Sequence, residues 1–399
     1  MKDWNNLTTP CFIFDEKEFK TGVEAFYTSL KRQFSDVQIG YSLKTNSLSY
    51  VLKEAKKLKC IAEVVSYDEY QLAKSVGFHT NEIIYNGPMK SKETFLEAVK
   101  GGAIVNIETK RELDWLSYLP KDGIYGVGLR LNINISKVSP EDADGDDDNS
   151  RFGFSMESNE FADAVSYISS LSNVRLSGLH IHRTSHQRSP RFYENSIRYA
   201  LSVVEAYNID IDYLDVGGGY FGIFPNKPTF EDYVKSFYKP LQEKGMSKIK
   251  LIVEPGNALT ASSFSFLSEV IDVKRVDEKT VFVTTDGSRN DVDPFFKKTD
   301  YIKEILFSDG LEKNRLCIPL QVVTGCTCLE YDRLFALHDF PRLKVGDRIL
   351  YKNVGAYTMT LSPLFIRLWP RVYAFDSDGK YKEVRRAAQA EDIINMDVL

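Results

Sequence analysis

Residues 37–87 read VQIGYSLKTNSLSYVLKEAKKLKCIAEVVSYDEYQLAKSVGFHTNEIIYNG, and the pattern in this stretch decides the fold. A short apolar run closes at Gly40–Leu43, a second at Ala62–Ser66 and a third at Ile83–Gly87. Between the first two, Leu48 to Leu58 carries helical spacing. The alternation continues through runs closing at Ile104–Glu108, Gly128–Asn132, Gly178–His182, Tyr213–Gly218 and Leu251–Gly256. Helical spacing recurs over Glu93–Val99, Phe161–Leu171 and Phe192–Ala206. Strand alternating with helix predicts an α/β protein with a parallel sheet. Eight such runs predict a closed (β/α)8 barrel of TIM type over 31–258. An open doubly wound sheet stays as the alternative, because periodicity alone does not report closure.

Beyond Gly256 the texture changes. FSFLSEVIDVKRV, KTVFVTTD, RLCIPLQVVTG and KVGDRILYKNVG are rich in β-branched and aromatic residues and are separated by turn signals. They predict a mostly antiparallel C-terminal β domain over 259–399. The strand-like TPCFIFD, within an N-terminal segment at 1–30, is expected to join it. One insertion, EDADGDDDNS at 141–150, suggests a calcium loop through Asp142, Asp144 and Asp146. It lacks the glycine and the closing glutamate of an EF-hand, so a solvated loop is the better reading.

Composition narrows the function classes. The 399 residues carry a formal charge of -5 with a pI near 5.7, which lacks the basic footprint of a nucleic-acid binder. No apolar run approaches a membrane span, and the opening MKDWNNLTTP has no apolar core of a secretory signal. Cysteines at 11, 60, 317, 326 and 328 are odd in number and scattered, which fits a reducing compartment and predicts a cytoplasmic protein. Five histidines leave little material for a histidine-rich metal site, and none is expected.

In such a barrel, chemistry collects at the C-terminal ends of the strands. Lys44 closes the first strand in YSLKTN, and His182 the sixth in GLHIHRTS. Gly217, Gly218 and Gly219 follow the seventh, and Glu254 closes the eighth in IVEPGN. Singly each has a plain explanation: a solvated lysine, a turn, a surface carboxylate. Together they are the parts of a pyridoxal 5'-phosphate site: an amine for a Schiff base, a ring to stack, bare backbone donors for phosphate, and a carboxylate for the pyridine nitrogen. That carboxylate would keep the ring protonated and electron-withdrawing, which suits decarboxylation better than racemisation.

The motifs YSLKTN, EVVSYDEYQLA, GLHIHRTS, LDVGGGYFG, EPGN, GCTCLEYD and GAYTMTLSPLF run in order across nearly the whole chain. With them the sequence resembles the pyridoxal-phosphate decarboxylases of alanine-racemase fold, which include diaminopimelate and ornithine decarboxylases. RRAAQAEDII resembles that family's tail. The resemblance implies a homodimer with active sites shared between subunits. It implies Lys44 as the Schiff-base lysine, His182 stacked on the ring, Ser185 near the phosphate and Gly217–Gly219 as the phosphate loop. It further implies Glu254 at the ring nitrogen and Tyr357 as a phosphate contact from the β domain. Cys328, from the partner subunit, would be the acid that protonates the carbanion, and Asp332 the aspartate four residues later in that loop.

Departures from the family pattern concern the substrate. Asn257 replaces an arginine in EPGN. DGSRNDVDPFF at 286–296 resembles the segment that supplies a substrate-binding arginine in diaminopimelate decarboxylase. Asp293 stands at that arginine's place, and Phe296 replaces a tyrosine. Leu329 follows Cys328 where an acid normally holds the distal amine, and Glu330 comes one residue later. Arg183 and Arg289 are spare cations. These departures predict a modified amino acid or an amino-acyl group on a larger scaffold as substrate, with Asp293 repelling a distal carboxylate. A racemase or epimerase of the same fold and a catalytically dead binding protein are the alternatives. Glu254 argues against the first, and the joint presence of Lys44, His182, Glu254 and Cys328 against the second.

Overall fold

The computed structural model of the protein describes residue 4 and residues 6–143, 145, 150–310 and 315–398. The chain divides into two units, one spanning Thr21–Leu259 and the other Met1–Lys20 with Thr260–Leu399. The first strand, β1 (Cys11–Asp15), belongs to the second unit and leads into the helix Glu16–Lys31.

Eight strands build the first unit: β2 (Val37–Ser42), β3 (Ile61–Ser66), β4 (Ile83–Met89), β5 (Ile104–Ile107), β6 (Tyr125–Arg130), β7 (Val174–His180), β8 (Tyr213–Asp215) and β9 (Lys250–Val253). All neighbouring pairs are parallel, and β2 pairs with β9 through Val37↔Leu251 to Ile39↔Val253, which closes the barrel. The expected barrel is thus present and the open-sheet alternative is excluded. Helices Ser49–Lys57, Lys92–Lys100, Glu160–Ser170 and Pro190–Ala206 fall on the segments with helical spacing.

Inside the barrel, two levels alternate by the strand's two-residue period. Ile61, Ile84, Ile104, Tyr213 and Ile252 pack together in the lower level. Gly128 and Gly178 leave room for the Tyr213 ring, since a Cβ on either would overlap it. Two residues further along each strand the level turns polar and buried: Ser42, Glu63, Asn86, Asn106, Arg130, His180, Asp215 and Glu254. The polar floor lies at the C-terminal end of the barrel, where buried polar groups persist only if they bond to one another or to a ligand.

The second unit is one nine-stranded sheet. Its later strands are β10 (Phe264–Arg275), β11 (Thr280–Thr285), β12 (Lys303–Leu306), β13 (Cys317–Thr324), β14 (Arg333–Pro341), β15 (Arg348–Lys352), β16 (Arg371–Phe375) and β17 (Tyr381–Arg385). The order is β14-β13-β11-β10-β1-β16-β17, with β15 pairing β10 and β12. Only β1–β16 and β11–β13 run parallel; the other pairs are antiparallel, and β1 joins the sheet as expected. A register shift between Val270 and Asp272 lets the long β10 pair with β1 and β15 along one half and with β11 along the other. Phe12–Phe266 and Phe14–Phe264, with ring centroids 4.8 and 4.9 Å apart, pin the β1 register.

Asp144 and Asp146 of the acidic insertion lie outside the described residues. Asp142 is buried, and its carboxylate accepts from Ser139 Oγ, Ser189 Oγ and Arg191 Nε. Among the described residues no helix is long and apolar enough to cross a membrane.

Candidate active site

Lys44 stands one turn past β2, and its Nζ donates to Glu63 Oε2 of β3 at 2.8 Å. Glu63 also accepts from Ser42 Oγ and, at 3.1 Å, from Asn86 Nδ2. The other hydrogen of that Asn86 amide goes to Glu254 Oε1 at 2.5 Å. One asparagine therefore joins the carboxylate beside the lysine to the carboxylate after β9. Behind it, Asn106 Nδ2 donates to Asn86 Oδ1 at 2.9 Å, and Tyr213 Oη donates to Asn106 Oδ1 at 2.8 Å. Each donor in this chain points toward Glu63 and Glu254, which act only as acceptors.

His182 sits past β7 on the same rim. Its Nδ1 accepts the N–H of Gly218 at 2.9 Å. Burial, reinforced by the charges of Lys44 and Arg130, holds its pKa well below the usual imidazole range. The ring is therefore neutral, with its proton on Nε2. His180, two residues earlier on β7, is lowered in the same way by burial and Arg130, and its Nε2 lies 3.5 Å from Glu254 Oε2. Arg130 is paired with Glu108 at 3.0 Å and donates to the carbonyl of His182, which fixes that loop.

The glycine turn packs hard against these groups. A Cβ on Gly217 would overlap His182, and one on Gly218 would overlap the Glu254 carbonyl. Gly217 and Gly219 also take φ of +65° and +93°. Gly217 N–H donates to Asp215 Oδ1 at 3.0 Å and Gly218 N–H to His182, so two of the three glycine donors are committed within the protein. Ser185 is buried nearby in sequence and its Oγ accepts the N–H of Arg188 at 3.0 Å.

An amine, a neutral ring, a glycine cradle that any Cβ would fill and a buried carboxylate thus share one rim of the barrel. This donor set fits pyridoxal phosphate. The donor atoms of His180, His182 and Glu254 lie within 4.8 Å of one another. Glu254 in that cluster already accepts from Asn86 Nδ2.

A profile of the family described as "Pyridoxal-dependent decarboxylase, pyridoxal binding domain" matches residues 21–261, more than half of the chain. The chain belongs to that family. It is a pyridoxal-phosphate-dependent carboxy-lyase acting on amino acids. Among curated relatives, a probable chloroplastic diaminopimelate decarboxylase of Oryza sativa is 25% identical, covering 96% of this chain and 78% of the relative. An "L-glutamyl-[BtrI acyl-carrier protein] decarboxylase" of Niallia circulans is 24% identical, covering 97% and 93%. A crystal structure of diaminopimelate decarboxylase from M. jannaschii superposes with a TM-score of 0.85 over 98% of this chain and 93% of that one. At 23% identity, that likeness speaks for the fold.

The remaining candidate residues lie in the β unit, where two loops are knit together. Cys326 N–H donates to the Gly287 carbonyl at 2.9 Å, and Arg289 N–H donates to Asp332 Oδ1 at 2.9 Å. Phe296 packs edge-on against Tyr331 at 5.6 Å. Cys328 is exposed in the 325–332 loop. Leu329 is half-buried, and the Glu330 side chain is 98% exposed beside Arg333. With Asp332, these three border an open depression of about 330 Å³ that Asp272, Lys274 and Thr284 also line. Asp332 itself is buried, and its Oδ2 accepts both the N–H and the Oγ1 of Thr327, at 3.2 and 2.6 Å. Tyr357 is partly exposed and takes a positive φ of 56°.

Asp293 is 5% exposed and faces inward to its own loop. It accepts from Arg289 Nη2 at 2.9 Å and from the N–H groups of Lys297 and Lys298 at 3.2 and 2.8 Å. Arg289 in turn donates to the Lys298 carbonyl at 2.6 Å. Spare cation and suspect anion have therefore found each other, four residues apart across the short helix Arg289–Val292.

Sequence reading missed the polar floor beneath the rim: Glu63, Asn86, Asn106, Arg130, His180 and Asp215. The signal was available. Each is a polar residue inside an apolar strand run, two positions beyond a glycine, isoleucine or tyrosine of the lower level.

Proposed function

We propose that this carboxy-lyase acts on an amino-acyl substrate or a modified amino acid rather than on free diaminopimelate. The observation that carries this is the closed Asp293–Arg289 pair: the two charges cancel within the loop. The place where relatives hold an arginine for a distal carboxylate thus offers neither that cation nor the repelling anion expected from sequence. Selectivity against diaminopimelate then comes from a missing attraction, which is weaker than repulsion. Leu329, half-buried beside Cys328, supports a tail less polar than that of ornithine. The Niallia circulans relative, whose name gives a carrier-bound glutamyl group as its substrate, supports an amino-acyl scaffold.

Bound pyridoxal phosphate supplies an electron-withdrawing ring that takes up the electrons released as carbon dioxide leaves. Lys44 is the residue that carries it, with its amine oriented by Glu63. His182 would stack on the cofactor ring, Gly219, Ser185 and Tyr357 would bind its phosphate, and Glu254 would keep its ring nitrogen protonated. Cys328 of a second subunit delivers a proton to the reacting carbon. The protein is then a homodimer with shared sites, and its five free cysteines support a cytoplasmic location.

A substrate panel of diaminopimelate, ornithine, lysine and aminoacyl thioesters, followed by carbon dioxide release, tests this. Borohydride reduction and peptide mapping of the holoenzyme should place the cofactor on Lys44. Efficient turnover of diaminopimelate would overturn the substrate reading, and cofactor on another lysine the site.

A further inference from the structure

The buried amide of Asn86 lies between two buried carboxylates, Glu63 on β3 and Glu254 after β9. A single nitrogen, Nδ2, meets Glu63 Oε1 at 3.1 Å and Glu254 Oε1 at 2.5 Å. Only the nitrogen of an amide can bond to two carboxylates, so one hydrogen goes to each. The amide oxygen must then face the other way, where it accepts from Asn106 Nδ2 at 2.9 Å. That leaves Asn106 Oδ1 to accept from Tyr213 Oη at 2.8 Å, and no link can turn round without breaking its neighbours. The backbone beneath is held as firmly. Gly87 takes a φ of +75°, and a Cβ there would overlap the Val65 carbonyl. The Gly87 carbonyl accepts from Lys90 Nζ at 2.7 Å, and Lys90 is buried against Glu112 at 3.1 Å. The end of β4 that carries Asn86 is thereby tied to the helix Lys110–Trp115 after β5.

The two carboxylates joined by Asn86 serve different parts of the site. Glu63 accepts from Lys44 Nζ at 2.8 Å, whereas Glu254 is the carboxylate assigned above to the cofactor's ring nitrogen. We propose that Asn86 is a positioning residue that tunes both ends of the cofactor site at once, the lysine amine through Glu63 and the ring nitrogen through Glu254. The proposal rests on the readings of Lys44 and Glu254 given above. Each hydrogen bond from Asn86 fixes one carboxylate and shares its negative charge. Without that donor, Glu63 would hold the charged form of Lys44 more tightly, and Glu254 would become a stronger base toward the ring's proton. Asn86 itself touches no reacting atom in this scheme.

Asn86→Leu and Asn86→Asp test this, since each is close to asparagine in size and neither can donate. If the leucine variant does not fold, the aspartate variant carries the test. In cofactor-free protein, uptake of pyridoxal phosphate is followed against pH, trapped with borohydride and assigned by peptide mapping. Only the neutral amine reacts, so the pH of half-maximal uptake rate should rise by about half a pH unit or more. The aspartate variant adds another carboxylate and should shift further. In protein loaded with ring-¹⁵N pyridoxal phosphate, the ring-nitrogen resonance should move toward its unprotonated position. The kcat of the loaded enzyme should fall by about tenfold or more, the scale of a lost hydrogen bond to a charged group. Uptake curves that coincide with the wild type overturn the amine half, and an unmoved resonance overturns the ring half. A lower kcat and melting temperature with both readouts unmoved would make Asn86 a structural residue and overturn the whole. Cofactor on another lysine would instead sink the Lys44 reading, and a resonance unmoved in Glu254→Gln the Glu254 reading; the corresponding half of the proposal then falls with it.

Discussion

Asp332→Asn separates an aspartate that touches substrate from one that holds the cysteine loop. The side chain is 2% exposed and takes three donors: the N–H of Arg289 at 2.9 Å, the N–H of Thr327 at 3.2 Å and Thr327 Oγ1 at 2.6 Å. Asparagine keeps the shape but removes the charge and turns one acceptor oxygen into a donor. At least one of the three donors then faces another donor in a buried place. Loss of one charge-assisted bond with its partner left unsatisfied costs about 2–3 kcal/mol. For a unit of this size that lowers its melting temperature by about 4–10 °C. Calorimetry with peptide-resolved hydrogen exchange is the assay, and the amides of Arg289 and Thr327 should lose protection first. Because Thr327 precedes Cys328, kcat should also fall by about tenfold or more through a misplaced thiol. An unchanged melting temperature and exchange pattern, joined to a raised KM, would show the carboxylate free for substrate and refute the anchoring argument.

Two further expectations follow from the site and its surroundings. Burial lifts the Glu69 carboxyl to about 7 although Val65 N–H donates to it at 2.8 Å. The unfolded chain releases that proton near the ordinary value of 4.5, so stability falls as pH rises from there to about 7 and is level above. Glu69→Gln should therefore stabilise by up to about 3 kcal/mol near pH 8 and by under about 1 kcal/mol near pH 5 in urea titrations; equal gains at both would reject a charged origin. For shared sites, inactive Lys44→Ala and Cys328→Ala subunits, mixed equally and exchanged at random, should regain about a quarter of the wild-type activity. Absence of recovery despite proven exchange would place both residues in one chain's site.

What was legible in the sequence, and what was not, follows from how side chains reveal direction. Each barrel strand was visible because a buried parallel strand needs an apolar run, and the rim residues because they interrupt those runs at their ends. Closure was expected from the count of eight runs, not from their periodicity. It depends on Val37–Ile39 pairing with Leu251–Val253, a contact between the first and last barrel strands that no local period encodes. The polar floor was half visible: Glu63, Asn86, Asn106 and Asp215 are polar residues within apolar runs, but their importance emerges only once eight strands bring them to one level. Asp293 shows the sharper limit. Its place in DGSRNDVDPFF implied a charge aimed at substrate, whereas the short helix turns it back onto Arg289 and the N–H groups of Lys297 and Lys298. Position along a chain says which groups are near a site; it does not say which way they face. For a charge the difference decides the chemistry, because a carboxylate turned inward is a strut and one turned outward is a filter. The same distinction applies to Asp332, named in the sequence reading, and to Asp215, which that reading passed over; both face the protein. The family motifs GCTCLEYD and LDVGGGYFG therefore specify loop and floor geometry as much as contacts with a ligand.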